Sequence, residues 1–461
     1  MRAAAGVPAG VRVQGGGLEP ARFRAVLVLA VVGVLAYVTW FAWALEHGDY
    51  NAWGTMVIAP ALVGVSVPML RRAVRREPDP TVGRIIVVAF FVKLAVAFLN
   101  QAVAFIVYGG IADASGYHNQ GVRYSEAFRS GHFGLAKNGE LGRRFINAVT
   151  GYLYTITGPS KFGGYLVFAW FGFWGLYLFY RAFVVAVPEG DHRRYAYLVF
   201  LLPSLLFWTS AIGKEAWMTL ALGTTSMGAA LLLTRRRGGL ALVAAGLIAS
   251  GLCRPHIGVL AFIALMAGYL VRRSSTSSRL GPLATLSGLA FLLAIGSVLG
   301  SQFAKHFDLA SLDASAVQST LQTAEEQTAG GGSGFTTAQL PWPLAVPGIL
   351  VRPLPVEAHN VQTLASSVEG TGMLVLFVAS RKRLKAALRR LLANPYVLLA
   401  AVYSLSFLLA FASFRNFGTL ARERVQVFPL VLVLFAFPPL TKPARVARFA
   451  PPPMGPVAAR R

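Results

Sequence analysis

Apolar runs about as long as a bilayer is thick recur along this chain, and they constrain its fold more than any other feature. A helical run of roughly 20 apolar residues crosses the roughly 30 Å hydrocarbon core of a membrane. A helix is favoured there because it satisfies its backbone hydrogen bonds without water. Only 13% of the residues are charged, against about 25% in a typical soluble domain. We therefore expect an all-α integral membrane protein.

The chain is predicted to form a helical bundle of about twelve transmembrane helices, within a single polytopic domain that covers residues 1–440. The predicted spans are residues 25–45, 52–70, 84–109, 163–187, 195–210, 215–234, 239–253, 257–271, 282–300, 366–380, 393–412 and 425–440. The first run exceeds the 7–15-residue core of a signal peptide, which indicates a retained anchor. Residues 441–461 form a basic, Pro-rich tail that we expect to be cytoplasmic and disordered.

The distribution of Lys and Arg predicts the orientation. With the N-terminus in the cytoplasm, 28 of the 43 Lys and Arg residues fall in cytoplasmic segments and 13 in outer segments. The positive-inside bias therefore explains the formal charge of +25 without nucleic acid as a partner. We expect a multi-pass plasma-membrane protein with both termini cytoplasmic. Cys253 is the single cysteine, which excludes an intramolecular disulfide and a cysteine-based metal centre.

Two predicted outer segments are long, residues 110–162 and 301–365, and loops of that length are usually functional. In the first, an apolar and aromatic stripe has helical spacing, which predicts an interfacial helix on the membrane surface that ends at Gly131. The stripe consists of Tyr117, Gly121, Tyr124 and Phe128. Asp113 is either a general base or a residue that caps the helix or merely faces water, and spacing alone favours the second interpretation.

Cations also gather on the predicted outer side. Lys214 and Glu215 open a predicted span, where a helix N-terminus and a lysine suit a phosphate, although an interfacial ion pair fits equally. Arg254 has to reach water or an anion, and Arg254-Pro255-His256 also has the composition of a hairpin turn. In contrast, Lys93 and Arg181 lie inside predicted spans, and we expect them to snorkel to the cytoplasmic face without a functional role.

The later outer segments are rich in arginine. They contribute Arg352, Glu357, Arg415, Asn416, Arg422 and Arg424. The planar fork of arginine suits a phosphate, and attraction to anionic lipid headgroups is the alternative. The density of arginine favours a ligand. The chain has no phosphate loop and no dinucleotide fingerprint, so we expect no cytoplasmic nucleotide-driven reaction.

Several segments resemble known membrane enzymes. One segment resembles the first outer loop of GT-C glycosyltransferases, and it contains Asp113, Tyr117, the predicted surface helix and Gly131. The later segment Gly151–Ser160 resembles the link that follows this loop in those enzymes. Two further segments resemble parts of bacterial polysaccharide-assembly proteins, including O-antigen polymerase-like proteins. They are Pro203–Glu215 and the pattern Asn416-x-Gly418-Thr419-x-x-Arg422-x-Arg424. The resemblance implies a polyprenyl-phosphate-linked sugar donor, an acidic base in the first loop, and a divalent metal as a possible cofactor.

We therefore expect a GT-C-like, inverting membrane glycosyltransferase that moves a sugar to a glycan or other acceptor on the extracytoplasmic side. The predicted base is Asp113, and the predicted substrate- and phosphate-binding residues are Tyr117, His118, Lys214, Glu215, Arg254, His256, Arg352, Glu357, Arg415, Asn416, Arg422 and Arg424. The alternatives are a transporter or flippase of lipid-linked saccharides, a polysaccharide repeat-unit polymerase, and a non-catalytic scaffold. Membrane lipids are expected partners in each case.

The orientation can be tested with reporter fusions after Arg76, Gly131 and Arg390. We expect cytoplasmic signals at Arg76 and Arg390 and an outer signal at Gly131, because the basic clusters lie on one side. A cytoplasmic signal at Gly131 would contradict the outer location of all the candidate site residues.

Overall fold

The computed structural model describes residues 20–106, 109–110, 112–134, 140–272, 290, 292–302, 342–358, 360–412 and 416–439, and these residues form helices and their connections. Arg415 and the predicted tail at residues 441–461 lie outside the described residues. In chain order the helices are α1 (Pro20–Glu46), α2 (Tyr50–Arg75), α3 (Pro80–Ile106), α4 (Asp113–Arg129), α5 (Leu141–Thr157), α6 (Lys161–Ala186), α7 (His192–Leu201), α8 (Pro203–Phe207), α9 (Lys214–Leu233), α10 (Gly239–Cys253), α11 (Pro255–Val271), α12 (Leu292–Gln302), α13 (Trp342–Val351), α14 (Val361–Ala379), α15 (Arg381–Arg389), α16 (Pro395–Phe411), α17 (Phe417–Glu423) and α18 (Phe428–Ala436).

Several of these helices can cross a membrane. Within the described residues, α2, α3, α6 and α9 are long and apolar enough, and a fifth span results if α14 and α15, bent by 62°, count as one. This confirms an all-helical protein with several helices able to span a bilayer. Among the remaining predicted spans, the run 195–210 is divided because Pro203 begins a new helix, and 239–253, 257–271, 393–412 and 425–440 coincide with shorter helices. The span 25–45 lies within the 27-residue α1, and residues 282–289 of the span 282–300 lie outside the described residues. The total of about twelve crossings stays a prediction.

Helix α6 lies at the centre of the bundle and packs directly against α9. A Cβ atom on Gly175 would lie 2.5 Å from the backbone of Thr219, and one on Gly223 would lie 2.3 Å from the Gly175 carbonyl oxygen. Small residues at a helix crossing allow this backbone-to-backbone approach. The crossing fixes the first turn of α9 beside the first turns of α6, which is where the candidate site lies.

The predicted span at 195–210 is broken into α7, α8 and a 3-10 turn at Trp208–Ser210. Lys93 of α3 is fully buried and donates hydrogen bonds to the carbonyl oxygens of Leu205 (2.7 Å) and Leu206 (2.9 Å), and to the Thr209 hydroxyl. Carbonyls at the end of a helix have no partner within it, and a cation there is favourable. The prediction that Lys93 snorkels to the cytoplasmic face is therefore wrong.

Two sets of charged residues lie at the opposite ends of α3. Asp79, before α3, binds Arg193 at 2.7 Å, and Arg193 lowers the pKa of the Asp79 carboxyl to about 2. Glu77 binds Arg181 at 2.9 Å at the same end. The 27 residues of α3 extend about 40 Å to the other end. Asn100, in its last turns, binds the Phe207 carbonyl at 2.9 Å and lies beside the second set of charges.

We expect Lys93→Met to lower the thermal unfolding midpoint of the purified protein. The substitution removes the three hydrogen bonds that the buried Lys93 amino group donates, and each contributes about 0.5–1.5 kcal/mol to stability. Arg123→Met, at an exposed position of α4, is the control for loss of a cation. An unfolding midpoint that is the same in Lys93→Met as in Arg123→Met would contradict the role of Lys93 in stabilising the helix break.

Candidate functional site

A pocket opens at the end of the bundle where α3 ends and α4, α6 and α9 begin. It is lined by Asn100, Val103, Ala104, Ala112, Asp113, Ala114, Tyr117, Tyr165, Phe207, Trp208, Ala211, Ile212, Glu215 and Arg422. Four of the predicted site residues therefore share one cavity, Asp113, Tyr117, Glu215 and Arg422. The rest of the lining is mostly apolar or aromatic, a composition typical of sites that bind organic ligands.

Asp113 directs its carboxylate at an arginine rather than at the helix backbone. The N-cap of α4 is Ala112, which makes no side-chain cap bond, and Asp113 is the first residue of the helix. Its Oδ2 accepts a hydrogen bond from Arg422 Nη1 at 2.6 Å, while 61% of the side chain stays exposed. The expectation of a helix cap is therefore wrong, although the Asp113 side chain is largely exposed to water, as the same interpretation allowed.

Behind Asp113, buried charges alternate in sign. Arg422 Nη2 lies 3.1 Å from Glu215 Oε1, and Arg254 Nη2 lies 3.2 Å from the same oxygen. Arg254 also pairs through Nη1 with Glu423, which accepts a hydrogen bond from Gln426 at 2.6 Å. Arg254 was expected to need water or an anion as a partner, and it contacts two carboxyl groups, those of Glu215 and Glu423. Burial of charges is tolerated here because each has an opposite charge in contact.

These contacts set the protonation of the groups around the pocket. The Glu215 carboxylate, with Asp113, raises the pKa of Arg422, which stays a cation. Burial raises the pKa of the Tyr117 phenol, and the negative charges of Glu215 and Asp113 raise it further, so Tyr117 is neutral. Burial also raises the pKa of Glu423, against the opposing effect of Arg254. Tyr117 therefore offers the pocket a hydroxyl group and Arg422 a fixed positive charge.

The stripe on α4 packs against α5. A Cβ on Gly121 would lie 2.5 Å from Thr150, and one on Gly151 would lie 2.4 Å from Tyr124, so the two helices touch closely. Phe128 stacks on Tyr152 with ring centroids 4.3 Å apart. The helix ends before Gly131, which has a positive φ of 83°, as predicted. The stripe therefore faces protein, and the prediction that it lies on the membrane surface is wrong for these side chains.

Lys214 and His118 lie near the pocket but outside its lining. Lys214 Nζ pairs with Glu140 at 2.5 Å, which agrees with the ion-pair interpretation of this lysine. His118 is half-buried, and its Nδ1 lies 2.8 Å from the Tyr154 hydroxyl. Both side chains support the helices that carry the site.

A second buried cluster contains Arg424, away from the pocket. Arg424 is fully buried, donates to the Arg352 carbonyl oxygen at 2.9 Å, and lies 3.5 Å from Glu369. Glu369 accepts hydrogen bonds from the Ser204 N–H and hydroxyl, both at 2.6 Å. Arg352 itself pairs with Glu357. These residues join α14 and α17 to the helix break, and the structure does not bring them to Asp113.

Two further predicted residues have structural partners. Asn416 caps α17, since its side chain accepts a hydrogen bond from the Thr419 N–H at 3.0 Å. His256 lies in the first turn of α11, with its ring 6.3 Å from that of Phe411. Neither residue lines the pocket.

Several charged groups near the site were not predicted from the sequence. One is Glu423, although it lies between two arginines, and another is Glu140, the partner of Lys214. The exposed Arg143 also approaches α4, with Nη2 at 3.4 Å from the point that a Cβ on Gly116 would occupy. For a metal, the described residues bring together no group of three or more His, Cys, Asp or Glu side chains.

The burial of His118 predicts a pH-dependent stability. Burial, with the positive charge of Lys161, lowers the pKa of His118 to about 4, whereas an unfolded histidine titrates near 6.5. The unfolded state therefore binds more protons between these values, so stability falls as the pH drops from about 6.5 to about 4. We expect His118→Gln to flatten this part of the curve of unfolding midpoint against pH. The exposed His132→Gln is the control and should leave the curve unchanged.

The chemistry of this pocket is to be inferred from its own residues. Protein-family models, curated proteins and solved structures give no match to this chain. The resemblance to GT-C glycosyltransferases therefore stays a prediction, and the contacts among Asp113, Glu215 and Arg422 are the observations that bear on it.

Proposed function

We propose that this protein is a GT-C-like membrane glycosyltransferase that moves a sugar from a polyprenyl-phosphate-linked donor to a glycan or other acceptor. The observation that carries the proposal is the pairing of an exposed carboxylate, Asp113, with the cation Arg422 in one pocket. Inverting transfer from a lipid phosphate needs a carboxylate for the acceptor proton and a cation for the departing phosphate.

The proposed reaction is a single displacement. The acceptor hydroxyl oxygen attacks the anomeric carbon of the donor sugar while its proton passes to the Asp113 carboxylate. The bond between that carbon and the phosphate oxygen breaks, and the electron pair leaves with the lipid phosphate. Arg422 stabilises the negative charge that the phosphate gains, because its guanidinium is held in place by Glu215 at 3.1 Å. The sugar changes anomeric configuration once.

The pocket surroundings suit a lipid-linked donor. Val103 and Ala104 line the pocket, and the next two residues, in the same last turn of α3, are Phe105 and Ile106, which are 71% and 78% exposed. Apolar side chains exposed on a membrane helix face lipid. A polyprenyl chain lying along this part of α3 would have its phosphate close to the charged residues of the pocket.

The proposed topology has about twelve crossings, both termini in the cytoplasm, and the pocket on the outer side of the plasma membrane. In this topology the Glu77 and Asp79 ion pairs lie at the cytoplasmic end of α3 and the Asp113 pair at the outer end. The pocket end carries Asp113 and Glu215, in the segments that charge statistics predict to be outside. A sugar donor presented on the outer leaflet would reach this end directly.

We expect Asp113→Asn to abolish most transfer activity while the protein stays folded and inserted. Asn keeps the size of Asp but cannot accept the proton, and loss of a positioned base costs roughly 10²–10⁴-fold in rate. The measurement is sugar incorporation by purified protein, with the unfolding midpoint determined in parallel. Glu126→Gln, at an exposed carboxylate of the same helix, is the control and should keep full activity.

Near-normal transfer by a well-folded Asp113→Asn protein would contradict the assignment of the base.

Arg422→Lys is expected to lose more activity than Arg424→Lys at equal stability, because Arg422 lines the pocket and Arg424 is buried elsewhere.

A further inference from the structure

The two arginines of the buried charge network, Arg422 and Arg254, are already neutralised by acidic side chains. Arg422 and Arg254 share Glu215 and also bind Asp113 and Glu423, respectively, so two guanidinium groups contact three carboxyl groups. Even with Glu423 protonated, this network has no surplus positive charge. A phosphate that binds to Arg422 has to replace one of its two carboxylate partners, or add its own charge to a network that is already balanced.

The two partners of Arg422 are held very differently. Glu215 has 6% of its side chain exposed and is fixed by a second arginine, Arg254. Asp113 is 61% exposed and makes a single contact of 2.6 Å with Arg422. Exposed ion pairs are weak because water screens them, whereas breaking a buried pair leaves an uncompensated charge. Asp113 is therefore the partner that a phosphate displaces more easily.

We propose that Arg422 exchanges partners when the donor binds: its guanidinium leaves Asp113 for the donor phosphate and keeps Glu215 throughout. This inference rests on the proposed function and adds the order of events within the same site. Before binding, Arg422 Nη1 holds one oxygen of the Asp113 carboxylate, Oδ2. After binding, the phosphate occupies Arg422, and both carboxylate oxygens are available to the acceptor hydroxyl.

Glu215, Arg254 and Glu423 act as positioning residues in this exchange. Because Glu215 is bound by Arg254, which is bound in turn by Glu423, the second nitrogen of Arg422 stays anchored while the first changes partner. The movement required is a rotation of the Arg422 and Asp113 side chains, without a change in the helices. Tyr117, a neutral phenol in the same lining, is available to donate a hydrogen bond to either anion.

The exchange predicts that removing the base strengthens binding of the ligand. The probe is farnesyl phosphate, which carries no sugar, titrated into the full-length protein in detergent. We expect Asp113→Asn to lower the Kd roughly two- to fivefold, as the loss of an exposed competing ion pair implies. Arg422→Gln should raise the Kd roughly tenfold or more, since a charged hydrogen-bond donor is lost. Arg123→Gln, an exposed cation of α4, is the matched control and should leave the Kd unchanged.

Two further variants control for misfolding, and a second ligand tests which part of the ligand is bound. Asp113→Ser should also tighten binding, and Arg422→Lys should weaken it less than Arg422→Gln, because the charge remains. Titration with inorganic phosphate separates an anion site from a lipid-phosphate site: the exchange predicts the same order of variants, with weaker binding throughout. An unchanged or higher Kd in both Asp113→Asn and Asp113→Ser would overturn the proposal.

Binding and transfer fail independently in this design. If Asp113→Asn loses transfer and its Kd is unchanged, the glycosyltransferase proposal stands and the exchange is wrong. If Asp113→Asn binds farnesyl phosphate more tightly and transfer is normal, the exchange stands and Asp113 is not the base.

Discussion

The Glu215 carboxylate, shared between Arg422 and Arg254, is the contact on which the arrangement of the pocket depends. It joins three parts of the chain that are far apart in sequence, the start of α9, the junction of α10 and α11, and α17. A buried charge is stable only when it is paired and hydrogen-bonded, so none of these three parts can move without leaving a charge uncompensated. Arg422 is consequently fixed at the pocket, within 2.6 Å of the Asp113 carboxylate that α4 carries.

The sequence predicts the general architecture because apolar length and helical periodicity are local properties. α2, α3, α6 and α9 coincide with predicted spans, and Gly131 ends α4 where its backbone freedom indicated. The side-chain partners were harder to predict. Asp113 has the spacing of a cap, and only the approach of α17, 309 residues later in the chain, turns it toward an arginine. Lys93 was predicted to snorkel because the apolar run at residues 195–210 gives little indication that the helix breaks after α8. The carbonyl oxygens that Lys93 binds belong to α8.

The candidate site was predicted in part for the same reason. The charge asymmetry predicts that Asp113, Glu215, Arg254 and Arg422 lie on the outer side of the membrane, and in the structure these four residues are in contact. The same asymmetry predicts an outer location for Lys214, Arg352 and Arg424, but these pair elsewhere with Glu140, Glu357 and Glu369. A charge count predicts the side of the membrane on which a residue lies. It does not predict the partner, which depends on how helices that are distant in sequence cross.

The lysine that stabilises the helix break has a consequence for how the protein is made. Lys93 and its acceptor Leu205 are 112 residues apart, and at 5–20 residues per second the ribosome needs about 6–22 s to synthesise that interval. During this time α3 has to be retained by the insertion machinery or the bilayer with an ammonium group that has no native acceptor, at a cost of about 2.5–3.5 kcal/mol near the centre of a helix. α3 is the most apolar of the four clear spans. Its Val, Ile, Leu and Phe residues each favour insertion by about 0.3–0.6 kcal/mol, which offsets the cost of the ammonium group until Leu205 is made.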